Sequence, residues 1–148
     1  MIEIRDLVLH PIQLIEVELV SCNLSKNIKF NEETLKSNMD ISLKSWAEID
    51  EENKQIGYTF LNLNIDFEEK EKPFVINMTY RGKCKIEEIN FSDEQFNKFL
   101  ETQGLKLLWP YIKPALSDFM VKMDLIPLRL PTLDVLKTME KGNVSERK

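Results

Sequence analysis

The chain carries one histidine, two cysteines and four glycines in 148 residues, and each scarcity closes off a class of chemistry. His10 is the sole imidazole; it precedes Pro11 in a weak N-terminal segment with no motif around it, so nothing supports acid–base or metal work there. Cys22 and Cys84 are too few for a disulfide framework, and with His10 they offer no pair at zinc-ligand spacing. They read as small buried hydrophobes in a reducing compartment. Gly57, Gly82, Gly104 and Gly142 never approach one another, which excludes a glycine loop that cradles phosphate and, with it, a nucleotide cofactor. Long apolar runs are also missing. Residues 105–110 and 114–121 are interrupted by charge or proline and fall short of the ~20 apolar residues of a bilayer span. Glu3, Arg5 and Asp6 stand where an export signal would have a basic flank and an unbroken apolar segment, so a cytoplasmic protein is expected. A net charge of −5 argues against a surface for nucleic-acid phosphates.

What remains is 43% apolar and 30% charged, the range of an ordinary globular chain. One domain over residues 1–148 is expected, with 1–11 as an N-terminal extension and 142–148 as a polar, frayed tail. The carboxylates at 48–52 and 68–72 have no calcium-loop spacing and read as solvated turns.

Alternation of apolar and polar residues is the clearest positive signal. Met39, Ile41 and Leu43 share one face of a strand; Leu61, Leu63, Ile65 and Phe67 share one face of a second; Phe74, Ile76, Met78 and Tyr80 share one face of a third that continues through Cys84 to Ile86. The last two, joined by a charged turn, predict an antiparallel hairpin. Residues 12–24 change phase: Ile15, Val17 and Leu19 have one parity, Val20, Cys22 and Leu24 the other. A bulge near Val20 and Ser21 reconciles them.

Helical chemistry begins at Ser92, which can cap the first amides while Gln95 reaches back in a capping box. Phe96, Phe99 and Leu100 follow at helical spacing, and Gly104 suits the residue that closes a short helix. Pro110 and Pro114 place the regular part of a second helix after Pro114, with Leu116, Phe119, Met120 and Met123 on one side. Residues 127–131 read as an extended loop, followed by Thr132 as the N-cap of a last helix to about Lys141. Strands first and helices afterwards define an α+β fold, an antiparallel sheet with helices packed on one face.

Two features stand out from this plan. Leu125, Ile126, Leu128 and Leu130 put apolar residues in a proline-bounded loop, which either seals the helix–sheet core or forms the wall of a groove for extended peptide. Trp46, Tyr58 and Phe60 have the parity opposite to the apolar face of their strands, so they are either exposed on the bare side of the sheet or packed beneath the N-terminal segment.

In the C-terminal half, residues 107–113, Leu-Leu-Trp-Pro-Tyr-Ile-Lys, followed by Leu116-Ser117-Asp118, are similar to the leucine-phenylalanine-proline-tyrosine-alanine-arginine motif, with its isoleucine-serine-aspartate continuation, of the SecB family of export chaperones. Residues 127–135, Pro-Leu-Arg-Leu-Pro-Thr-Leu-Asp-Val, resemble its proline-leucine-asparagine-leucine-proline-proline-valine-asparagine-phenylalanine stretch. Trp109, Lys113, Pro114 and Asp124 depart from the family pattern, the last standing where a glycine usually ends the long helix.

The resemblance implies a four-stranded antiparallel sheet and a long helix packed between sheets in a homotetrameric dimer of dimers. It implies an ATP-independent holdase without cofactor or catalytic residues, whose partners are non-native polypeptides. Delivery to the SecA motor or protection of an antitoxin is the implied role; the alternative is a module that binds a single partner. The client-binding residues it implies, joined to those the outward parity suggests, are Trp46, Tyr58, Phe60, Leu125, Ile126, Leu128, Leu130, Leu133, Val135 and Leu136. Val17 and Leu19 are implied as oligomer interface, and the long-helix residues Trp109, Tyr111, Leu116 and Phe119 as core or oligomer interface.

Overall fold

The structure is a computed structural model that describes residues 1–29, 39–68, 70–87 and 91–128 together with Asp134, Lys137, Thr138 and Lys141. Four strands, β1 (Ile12–Lys26), β2 (Met39–Ile49), β3 (Ile56–Phe67) and β4 (Phe74–Ile86), form one antiparallel sheet in the order β1-β4-β3-β2, and α1 (Asp93–Lys122) lies across one face. The alternation in β3 and β4 puts Leu61, Leu63, Ile65, Phe67, Phe74, Ile76 and Met78 beneath the helix, all buried. β2 and β3 pair without interruption from Met39↔Phe67 to Ile49↔Gly57.

β1 is irregular, as its phase change requires. Val20 is an extra residue between the pairs Leu19↔Tyr80 and Ser21↔Thr79, which returns Cys22 and Leu24 to the helix side, opposite Met78 and Ile76. A second bulge at Ile15, between Leu14↔Cys84 and Glu16↔Lys83, leaves no mark in the apolar pattern and was not expected. Cys22 is exposed, contrary to the expectation for both thiols, because α1 packs on β2 and β3 and barely reaches β1. Cys84 is buried, and desolvation pushes its thiol up to about 11.

One 30-residue helix replaces the two expected from the local signals. Its start is the predicted capping box: Ser92 Oγ accepts the Gln95 N–H at 3.1 Å and Gln95 Oε1 accepts the Ser92 N–H at 2.9 Å. It does not stop at Gly104, where the missing side chain serves contact. A Cβ there would lie 2.0 Å from Thr59 Oγ1, the hydroxyl that donates to Leu100 O at 3.0 Å. Nor does it break at the prolines. Pro110 offers no N–H to Lys106 O, and Pro114 none to Pro110 O, but Lys106, Pro110 and Pro114 all lie on the exposed stripe, where solvent can supply the donor.

The buried residues Phe96, Leu100, Gly104, Leu108, Ile112, Leu116 and Met120 recur every fourth position. At 3.6 residues per turn that row drifts by about 40° per step, a spiral stripe that follows a twisted sheet. The last helix falls partly outside the described residues, Thr132 among them. Asp134 supplies cap geometry: its Oδ1 accepts the Lys137 N–H at 3.1 Å, and its backbone oxygen accepts the Thr138 N–H at 2.9 Å.

Candidate functional site

The face of the sheet opposite α1 carries the chemistry. Pairing Glu18↔Arg81, Arg81↔Phe60 and Phe60↔Trp46 lines these four residues in one row across all four strands, and Tyr58 sits in the next row, opposite Lys83 and Glu48. The indole of Trp46 and the ring of Phe60 stack with centroids 5.2 Å apart and planes 3° from parallel. The Arg81 guanidinium lies 4.5 Å over the Tyr58 ring and pairs through Nη2 with Glu18. Trp46 remains 38% exposed, while Tyr58 and Phe60 are half-buried. All three lie on the bare side of the sheet. The N-terminal segment does not cover them, because Ile2, Ile4, Leu7, Val8 and Leu9 are themselves exposed.

The other half of this face is polar and internally satisfied. Asn62 Nδ2 donates to Asn77 Oδ1 at 3.0 Å and Thr79 Oγ1 at 2.9 Å, and Asn77 Nδ2 donates to Asn64 Oδ1 at 3.0 Å. Apolar contact on this face is thus concentrated in the aromatic rows. An extended chain laid there would meet stacked aromatic rings beside Arg81, whose charge Glu18 neutralises, with Lys83 and Glu48 flanking Tyr58. Such a surface selects by burial rather than by charge.

The loop after α1 forms a second apolar strip. Asp124 takes a left-handed backbone, φ 56°, and the Leu125 N–H returns to Met120 O at 2.9 Å, which turns Leu125 into the core at 5% exposure and leaves Ile126 72% exposed. Leu128 packs half-buried against the main core. Leu125 thus seals the core, one of the two readings weighed from sequence, and Ile126 is exposed. Leu130, Leu133, Val135 and Leu136 lie outside the described residues.

Leu128 belongs to the helix side of the sheet and Trp46 to the other, so the expected client-binding set divides between two faces. Of the expected interface set, Leu116 and Trp109 are buried in the protomer's own core, Val17 and Phe119 are partly buried, and Leu19 and Tyr111 are exposed. Arg81 was missed as a member of the site. Its parity was legible, but its place beside Phe60 is a matter of register between strands.

Among the described residues there is no group of three potential metal ligands, and no helix is long and apolar enough to cross a membrane. No protein-family model matches the chain, and no curated protein matches it. The architecture is that of a SecB-like α+β protein, an open four-stranded antiparallel sheet with a long helix on one face. One solved structure with this fold is the SecB-like chaperone Rv1957 of Mycobacterium tuberculosis, in complex with a ChAD peptide from the HigA1 antitoxin Rv1956. It aligns over 83% of this chain and 91% of its own, at 14% identity and a TM-score of 0.69. A protein of unknown function from Streptococcus agalactiae aligns over 82% of this chain and 97% of its own at 13% identity, with a TM-score of 0.42, and carries no argument.

Proposed function

We propose that this chain is a non-enzymatic, ATP-independent chaperone that holds a non-native polypeptide, with a dedicated client such as an antitoxin favoured over general export. The observation that carries this reading is the uncovered Trp46–Phe60 stack with Tyr58 beside it, on the open face of a SecB-like sheet. Stacked aromatics left 38% exposed at Trp46 contribute little to the fold and much to any apolar chain laid over them. The solved relative's antitoxin peptide supports a dedicated client, since nothing among the described residues speaks for docking to a SecA motor.

In this reading Trp46, Tyr58 and Phe60 make one contact area. Ile126 and Leu128, continued by Leu130, Leu133, Val135 and Leu136, make the second, and a client reaches both by passing round an edge of the sheet or a neighbouring protomer. Val17, Leu19, Tyr111 and Phe119 are the residues through which protomers would assemble into a dimer of dimers. The chaperone works in the cytoplasm with no cofactor.

The test is dilution of a chemically unfolded model protein into buffer with and without the chain, free of nucleotide, alongside the Trp46→Asp and Ile126→Asp variants. Suppressed aggregation that weakens in both variants while light scattering reports an unchanged oligomer is the expected result. Absence of suppression for every client, together with binding of one partner only, would replace the holdase by a single-partner module.

A further inference from the structure

The first nine residues contain Met1, Ile2, Ile4, Leu7, Val8 and Leu9, each at least 71% exposed. No secondary structure holds them, and among the described residues the one side-chain hydrogen bond or ion pair within the segment joins Arg5 to Glu3 at 2.8 Å. So dense a row of bare aliphatic side chains is costly in water. The root of the segment, by contrast, is pinned. The His10 ring stacks on Phe99 at 5.0 Å, His10 Nδ1 accepts the Ile12 N–H at 3.0 Å, and Gln13 Nε2 donates to His10 O at 2.6 Å. An apolar, extended, tethered strand has the chemistry of the clients proposed above.

Its reach selects where it can go. The root at Ile12 pairs with Ile86, at the same end of the sheet as Tyr58 and Phe60. From there to the near side of the platform at Tyr58 is about three residue steps along the strands and two strand spacings across, roughly 15 Å, and turning round the sheet edge from the helix side, where His10 rests on Phe99 and Ile12 is buried with Phe96, adds about 10 Å. Nine extended residues span about 30 Å. The strip at Ile126 is out of reach, because Phe99 and Met120 alone are separated by about 32 Å of helix.

We propose that residues 1–9 are a tethered client mimic that docks reversibly on the Trp46–Phe60–Tyr58 platform and competes with clients for it. The inference rests on the holdase reading and adds a threshold to it: a client must outcompete a segment held at roughly millimolar effective concentration. If the segment binds with a dissociation constant of about 0.1–1 mM, it occupies the platform about half to nine-tenths of the time, and apparent client affinity is weakened about two- to tenfold. Weak, transient apolar segments are refused, and a dedicated client is accepted.

The experiment uses the full chain and the triple variant Ile2→Asp/Ile4→Asp/Leu7→Asp. Two probes are titrated by fluorescence anisotropy, a labelled, reduced and alkylated unfolded protein and a labelled synthetic peptide with the sequence of residues 1–10. The expected result is a two- to tenfold tighter client affinity in the variant, binding of the synthetic peptide to the variant, its displacement by the client, and loss of peptide binding on Trp46→Asp. Equal client affinity in the two chains with no binding of the peptide overturns the mimic and leaves the holdase standing. Failure of both chains to bind the client overturns both.

Discussion

Trp46 of β2 and Phe60 of β3 face each other directly in the ladder, with ring centroids 5.2 Å apart and planes within 3° of parallel, on the side of the sheet that α1 does not cover. Their stack stabilises the fold by about 0.5–1.5 kcal/mol beyond simple burial. Trp46→Ala should therefore lower unfolding free energy by only about 1 kcal/mol while reducing client affinity about tenfold or more, as an aromatic anchor does. Urea unfolding and peptide titration on the same preparation check the pair. A large loss of stability with unchanged affinity would make the stack structural.

Gly104 and Pro110 should respond to alanine with opposite signs. Helix propensity favours alanine at both, by about 1 kcal/mol over glycine and about 3 over proline. At Pro110 only the greater freedom of the unfolded chain, about 0.4–1 kcal/mol, opposes that gain: the residue is exposed, and its new N–H would reach Lys106 O, so Pro110→Ala should raise the thermal midpoint. At Gly104 the new Cβ would meet Thr59 Oγ1 at 2.0 Å, so Gly104→Ala should destabilise by about 1–3 kcal/mol through overpacking. Calorimetry of the two variants decides both signs.

Asp124 has φ 56°, a conformation that costs an L-residue about 1–2 kcal/mol and glycine almost nothing. Asp124→Gly should stabilise the chain by up to about 1 kcal/mol, after allowance for the freedom glycine adds to the unfolded state. The turn to Leu125 should be preserved, so client binding through Ile126 should not change. A drop in stability in denaturant melts would show that the Asp124 side chain has a role of its own.

The two thiols should differ in reactivity. Cys22 is exposed and should react with a disulfide reagent at pH 8 in the folded chain, whereas Cys84 is buried and should react only after unfolding. Burial raises the Cys84 thiol from 9.0 to about 11, so the folded state holds that proton more tightly than the unfolded state does. The associated stability is complete below pH 9 and is lost as pH rises towards 11. Urea midpoints measured between pH 8 and pH 11 should fall, and fall less in Cys84→Ala.

Much of the architecture was legible because it rests on local periodicity. Strands β3 and β4 announce themselves by strict alternation, the bulge at Val20 by a change of parity, and the start of α1 by Ser92 and Gln95. The outward parity of Trp46, Tyr58 and Phe60 was equally plain. Other features were hidden. Gly104, Pro110 and Pro114 each carry a local signal to end a helix, and each was overruled by its surroundings: a close approach to Thr59 in the first case, open solvent beside the orphaned carbonyls in the others. The bulge at Ile15 changes the register without a distinct apolar phase to betray it.

By itself, then, the sequence determined which residues alternate, which cap and which cannot be buried, since those properties belong to a residue and its near neighbours. Only the tertiary structure decided what lies beside what: that Arg81 joins Phe60 and Trp46 in one row, that Leu125 turns inward while Ile126 stays out, and that Leu128 and Trp46 fall on opposite faces. Those placements depend on strand register and on where one long helix ends, and both are settled by the packing of segments far apart in the chain.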